Sequence, residues 1–390
     1  MSQGIYDLFQ PVDQPVFSNA EGTSRIADRI DIHRFDYQPD IEGCRIAIFG
    51  VNDGRNSGDN EGCSAAPDAI RSWLYRLTPP NRWAPVVDLG DIRAGFEDSD
   101  TENAVIAVVS ELVQMGVIPI VLGGGQDLTY AMYAALESIG RPMNVLTVDS
   151  RLDFGGDPEV HTSRNFMNRL VLHEPNFLFD YTNVGHQGYL TDPDTLELLE
   201  RLEFEAIRLG TVHGNAKLLE PTFRNSDLIS IDLSSIRAAD HPASTHAGPN
   251  GLTSSQICQL ARYAGLSDRM IAMGVFEHNP DLDDRGLGAH LAAQVVWHML
   301  DGIFCQTGDY PKCSAKEYTR YVVDLPGNEH EVAFFKSSRS DRWWMDVPIP
   351  TSKKNNKDHH HLVPCAYEDY QEASEGQLPD RWWRTYQKLA

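Results

Sequence analysis

Apolar runs of strand length alternate with amphipathic stretches of helix length along most of this 390-residue chain. A chain with that rhythm can bury its strands only in a mostly parallel sheet covered by helices on both faces, a three-layer α-β-α arrangement of the α/β class. Arg45-Ile-Ala-Ile-Phe-Gly50 reads as a first strand. It opens into a Gly/Asn/Asp-rich loop over residues 51–62 before Pro67-Asp-Ala-Ile-Arg71 starts a helix with proline in its first turn. The unit repeats as a helix over 101–115, a strand from Val117 to Leu122, a helix over 127–139 and a strand from Asn144 to Asp149. Further strands are predicted near 204–209, 227–232 and 270–276, and a helix over 286–305 closes the regular part.

The pattern changes after residue 310, where strand-like Tyr321-Val-Val-Asp and Glu331-Val-Ala-Phe-Phe precede a polar stretch from Thr351 to His361. The expected division is an N-terminal segment 1–43, an α/β domain 44–310 and a C-terminal extension 311–390 packing on that domain. Two copies of Asp-Arg-Trp-Trp, at 341–344 and 380–383, share no fixed period with their surroundings; their tryptophans are expected to dock the extension, since large aromatics dominate such packing. Consecutive histidines in Asp358-His-His-His361 lack the spacing of a structural zinc site and read as a solvated loop.

With 56 acidic against 33 basic residues the formal charge is -23, which argues against a partnership with nucleic acid or anionic lipid. No apolar run has membrane-spanning length, so no membrane insertion is expected and a cytoplasmic protein is. The 6 cysteines contain no Cys-x-x-Cys pair and read as free thiols. Gly123-Gly-Gly-Gln lacks the residues of a P-loop or a dinucleotide fingerprint, and no Gly-x-Ser-x-Gly elbow is present.

In an open α/β sheet, ligands collect beyond the carboxyl ends of the strands. Three such ends carry polar residues: Gly123-Gly-Gly-Gln-Asp127, Asp149-Ser-Arg-Leu-Asp153 and Ser230-Ile-Asp-Leu-Ser234. Residues two apart on an extended chain share a side, so Asp149, Arg151 and Asp153 are expected to project together, as are Asp232 and Ser234. Three carboxylates converging on one cavity need a cation, supplied either by a metal or by Arg151.

The order of these motifs resembles the ureohydrolase superfamily of arginases, agmatinases and formimidoylglutamases. Gly-Leu-Thr (251–253), Phe-Glu-His-Asn-Pro (276–280) and Gly-Cys-Ser-Ala-Ala-Pro-Asp-Ala-Ile-Arg (62–71) extend the likeness over residues 44–305. Within it, Leu-Gly-Gly-Gly-Gln-Asp-Leu-Thr (122–129), Ile-Asp-Leu-Ser-Ser-Ile-Arg (231–237) and Ser-Asp-Arg-Trp-Trp-Met (340–345) are most similar to bacterial proteins labelled formimidoylglutamase. The resemblance implies an arginase-like fold, a homo-oligomer, and a site that in active members binds two Mn²⁺ ions.

This chain departs from the family at three of the six ligand positions. Gln126 stands for the first-motif histidine, Arg151 for the central histidine of the second motif, and Ser234 for the last aspartate of the third, while Asp149, Asp153 and Asp232 remain. The resemblance gives Asp149 and Asp232 to both ions, Gln126 and Asp153 to the first, and Arg151 and Ser234 to the second. Arginine has no lone pair to give a metal, so Arg151 is expected to fill the second ion's place between flanking carboxylates. No confident catalytic residue and no cofactor follow. The alternative is one Mn²⁺ or Mg²⁺ on Asp149, Asp153 and Asp232, with the Gln126 carbonyl as a weak fourth donor.

Glu277 matches the position that receives an amidine or guanidinium end of a substrate; otherwise it is a solvated glutamate ending a strand. His161 and Arg164 lie where the family places other substrate-binding residues. Two functions follow as expectations: a non-catalytic protein that binds a ligand, or a protein partner through its C-terminal extension, and a hydrolase of linear amidines working with one residual metal.

Overall fold

The computed structural model describes the chain apart from residues 1–3, 15, 17–23, 158–159, 312–316, 326–330 and 350–359. Its main sheet is built from Phe9–Gln10 (β1), Asp31–Ile32 (β2), Ile46–Asn52 (β3), Val86–Arg93 (β4), Ile118–Leu122 (β5), Met143–Val148 (β6), Leu178–His186 (β7), Glu205–Arg208 (β8), Leu228–Asp232 (β9) and Ala272–Phe276 (β10). The strand order is β1-β4-β3-β5-β10-β9-β6-β7-β8, with β2 beside β4. All these pairs are parallel except β1 with β4.

Alternate residues of one strand enter different apolar clusters: Ile46 and Ile48 of β3 pack in one, Ala47, Phe49 and Val51 in the other. Since side chains alternate across a strand, the two clusters are the two faces of one sheet, and the helices covering them complete the three layers. The helices Ser254–Gly265 and Leu287–Phe304 meet on one face, backbone against backbone. A Cβ on Gly302 would stand 2.5 Å from the Arg262 carbonyl oxygen, so only glycine permits that approach.

Two long strands, β4 and β7, were not expected from the sequence. β4 contains Asp88 and Asp91, and both are buried against Arg71, at 2.9 and 2.5 Å. A strand whose carboxylates are neutralised by a buried guanidinium reads as polar loop when only the pattern is available. Among the described helices, none is long and apolar enough to cross a membrane. The five described cysteines are free, and Cys313 lies outside the described residues.

The remaining strands, Tyr318–Asp324 (β11), Glu331–Ser337 (β12), Trp343–Pro348 (β13) and His360–Cys365 (β14), form a separate antiparallel sheet in that order. It is followed by the helices Tyr367–Ser374 and Asp380–Leu389. The Asp-Arg-Trp-Trp tryptophans do not act alike, which corrects the expectation that they dock the extension. Trp343 and Trp382 fill a core belonging to the extension itself, and Trp383 is 48% exposed. Trp344 makes the joint: the Arg224 guanidinium of the main domain lies 4.6 Å over its ring and donates to the carbonyl oxygens of Trp343 and Cys365. A sheet with helices on it needs an interior before it can be docked, and Trp343 and Trp382 supply part of that interior.

The histidine run is corrected too. His361 belongs to β14 and packs its ring 5.8 Å from that of Phe179, while 358–359 lie outside the described residues.

Candidate functional site

The carboxyl ends of four neighbouring strands, β5, β10, β9 and β6, deliver the candidate residues to one place. β5 runs into Gly123 and Gly124, with φ of 73° and 72°, a left-handed conformation that suits glycine. A Cβ on Gly124 would lie 2.6 Å from the Asp53 carbonyl oxygen. The loop is pinned to β10, since the Gly123 N–H donates to Val275 at 2.8 Å and the Glu277 N–H to Gly124 at 3.1 Å.

This presents Gln126, which is buried, to the second motif. With its amide nitrogen facing the carboxylates, as the acceptors there require, Gln126 donates to Asp149 at 2.8 Å and Asp153 at 3.1 Å, and its oxygen accepts from Ser230 at 3.2 Å. Asp232 ends β9 and accepts the Ser234 N–H at 2.6 Å across the turn Leu233–Ser235. Glu277 follows β10 at φ 66°.

Burial of these acids raises their pKa values. Asp149 is held well above the usual carboxylate range, first by burial and then by the charge of Asp153. Asp153 is pushed up to about 7, by burial and then, against a hydrogen bond from Asp149, by the charges of Asp232 and Glu277. Asp232 is raised by burial, Asp149 and Glu277 together, and Asp127 next to Gln126 is pushed up to about 7 by burial.

Arg151 is not ion-paired with the cluster, which corrects the expectation that it sits between flanking carboxylates, although its charge still lowers the pKa of Asp153. Among the described residues no arginine or lysine forms an ion pair with Asp149, Asp153, Asp232 or Glu277. The reason is local. β6 ends at Val148 and the chain then turns, reaching φ 46° at Asp153, so the two-residue alternation of an extended strand does not hold over 149–153. The Arg151 main-chain N–H still donates to Asp149 at 2.8 Å. Its side chain instead lines a cleft of about 140 Å³, together with Asp153, Phe154 and Arg164. The reading of Asp153 and Asp232 as arginine-paired structural residues falls with it.

Glu277 is 1% exposed, which removes the solvated alternative. Its carboxylate accepts from Ser57 at 2.9 Å, from Asn60 at 2.8 Å and from the Gln126 N–H at 2.9 Å. Burial raises its pKa, and these donors oppose the rise. Ser57 and Asn60 were missed in the sequence; their only signal was the Asn/Asp/Gly-rich loop after the first strand. In the 161–164 segment, His161 is exposed, whereas Ser163 is buried and hydrogen-bonds Glu277. Arg164 is exposed and lies 2.6 Å from the His246 ring.

The donor set decides what this place can hold. At the positions that the resemblance assigns to a second ion stand Arg151, which has no lone pair to offer, and the neutral hydroxyl of Ser234. Among the described residues no three His, Cys, Asp or Glu side chains are grouped so as to hold a metal ion, although Asp149, Asp153 and Asp232 are all buried at these strand ends.

The sequence profile of the arginase family matches residues 44–301. The chain belongs to the arginase family. It is 25% identical over 258 residues to a formimidoylglutamase of Photorhabdus laumondii, covering 63% of this chain and 80% of that protein. A formimidoylglutamase of Geobacillus kaustophilus is 26% identical over 271 residues, 65% of this chain and 81% of the relative. Among solved structures, Trypanosoma cruzi formiminoglutamase with Mn2+2 superposes with a TM-score of 0.66 at 21% identity, over 73% of this chain and all of that one (100%). Formimidoylglutamase from Bacillus subtilis gives 0.65 at 20% identity, over 73% and 92%.

Proposed function

We propose that this arginase-family protein binds an amidine-type ligand without running two-metal hydrolysis. The observation carrying the proposal is the fate of Arg151: a side chain without a lone pair occupies a ligand position and turns into the cleft, leaving the second ion no side chain of its own apart from the Ser234 hydroxyl. What remains is a buried acidic cluster beside that cleft, suited to the cationic end of an amidine.

A second reading is a hydrolase of C–N bonds in linear amidines using one ion, with formimidoylglutamate as substrate. It is favoured by the absence of a basic partner for the carboxylates among the described residues. Asp149, Asp153 and Asp232 would hold the ion, which when bound supplies a Lewis acid that lowers the pKa of water. The protein's own contribution is to exclude bulk water from the cluster and to fix Asp149 and Asp153 through Gln126.

Elemental analysis after Mn²⁺ loading and removal of excess ion, run beside an assay for formamide release from formimidoylglutamate, tests both. No turnover supports the first reading. One ion per chain with turnover replaces it by the second, and two tightly held ions would overturn both.

A further inference from the structure

Arg151 and Arg164 reach one cleft from different positions, the first just beyond β6 and the second before the helix Phe166–Leu172. In a chain of charge -23, two arginines facing one cavity should each find a carboxylate. Neither forms an ion pair among the described residues. Of the acids that share the cleft, Asp153 accepts from Gln126 and feels the Arg151 charge without an ion pair, and Asp192 accepts the Asp194 N–H at the start of the helix Pro193–Arg201. Arg164 lies 2.6 Å from the His246 ring, whose pKa is lowered by burial and then by Arg164, and that ring in turn lies 3.4 Å from the exposed Asp59. The hydroxyl-bearing Thr191 and Thr195 line the same wall.

We infer that Arg151 and Arg164 form an anion clamp that holds a carboxylate of the ligand whose cationic end enters the acidic cluster. This rests on the amidine reading above and makes Arg151, at a position the family gives to a metal, a specificity residue. The charges are laid out in sequence, with guanidinium groups in the cleft and carboxylates behind Asp153. A ligand carrying positive charge alone would meet the arginines unfavourably; one with an acidic tail would satisfy both ends. Planar guanidinium groups are suited to carboxylate recognition.

Calorimetric titration with glutarate, a five-carbon dicarboxylate, tests the clamp, with uncharged glutaramide as control. The wild-type protein should bind glutarate and not glutaramide. Arg151→Met and Arg164→Met should each weaken binding by roughly tenfold or more, with part restored in Arg164→Lys. Arg151→Met keeps the main-chain N–H used by Asp149, and an unchanged melting curve shows that a loss of binding is not a loss of fold. Glutarate binding that is absent, or equal in wild type and both methionine variants, overturns the clamp. Acetamidine on the same proteins separates the two ideas. Acetamidine binding without glutarate binding removes the clamp alone, whereas arginine-dependent glutarate binding without acetamidine binding upholds the clamp and removes the amidine reading.

Discussion

Replacing Arg71 by methionine keeps the length and apolar stem of the side chain and removes its charge. In the fold Arg71 is fully buried, binds both oxygens of Asp88 at 2.9 and 3.0 Å, reaches Asp91 at 2.5 Å and donates to the Gly90 carbonyl at 2.9 Å. Tyr75 adds a hydroxyl donor to Asp88 at 2.8 Å. Methionine leaves two carboxylates inside with that hydroxyl as their main side-chain donor. Breaking a buried pair by removing one partner costs about 3–5 kcal/mol, and the two stranded acids place this case at the upper end. At roughly 2–4 °C per kcal/mol for a domain of this size, the melting temperature should fall by about 10 °C or more. The sign with pH follows. Asp91 is already raised by burial against the pull of Arg71, and without that pull it rises further, so the stability of the variant is fully present at low pH and lost as pH climbs through the raised value. The deficit against wild type should therefore be smaller at pH 5 than at pH 8, and Asp88→Asn added to the variant should recover part of it. Thermal unfolding followed by circular dichroism at both pH values measures this. A shift under about 2 °C, or a deficit that grows on acidification, would refute the account of Arg71 as the cation that lets β4 be buried.

Arg224→Met should loosen the joint to the extension by about 2–4 kcal/mol, since it removes a cation–π contact and two donors to buried carbonyls; faster hydrogen exchange in β13 and β14 would report it. Gly302→Ala drives a methyl group to 2.5 Å from the Arg262 carbonyl, and overpacking of that kind costs about 1–3 kcal/mol in thermal stability. His361 is lowered to about 4, by burial and then by Arg269. Its unfolded state binds the proton first, so stability should fall as pH drops from about 6.5 towards 4, by roughly 2–3 kcal/mol. His361→Gln should flatten that part of the pH–stability profile relative to wild type.

The layers of the main domain were legible because its central strands are buried on both faces and therefore read as unbroken apolar runs, as in β3, β5 and β10. β4 and β7 were not legible, because their polar residues are satisfied by partners far away in sequence: Asp88 by Arg71, Asn183 by the carbonyl of Arg151 at 2.7 Å. The same holds at the site. Strand ends disclosed Gln126, Asp149, Asp153, Asp232 and Glu277, whereas Ser57, Asn60 and Ser230 act through single hydrogen bonds that ordinary polar residues in any loop or strand could make. The Trp-Trp copies show a further limit. Composition says that tryptophans pack, but only the three-dimensional core decides that Trp343 faces inward and Trp344 faces the other domain.

Arg151 shows why an altered motif does not by itself state the new function. Charge argues that an arginine among aspartates should pair with them, and that argument would hold on an extended strand. The turn after Val148 separates side-chain direction from sequence spacing, so one main-chain N–H stays on Asp149 while Arg151 lines the cleft without an ion pair to the cluster. The carboxylates are then held by hydrogen bonds, from Gln126 and the Arg151 N–H to Asp149, from Gln126 to Asp153, from the Ser234 N–H to Asp232 and from Ser57 and Asn60 to Glu277. That is a costly arrangement for groups this deeply buried, and it is relieved by any cation that enters. The arginine at this position therefore leaves the acidic cluster without an ion-paired cation and adds a positive charge to the lining of the adjoining cleft. A ligand bearing both signs of charge answers both consequences at once.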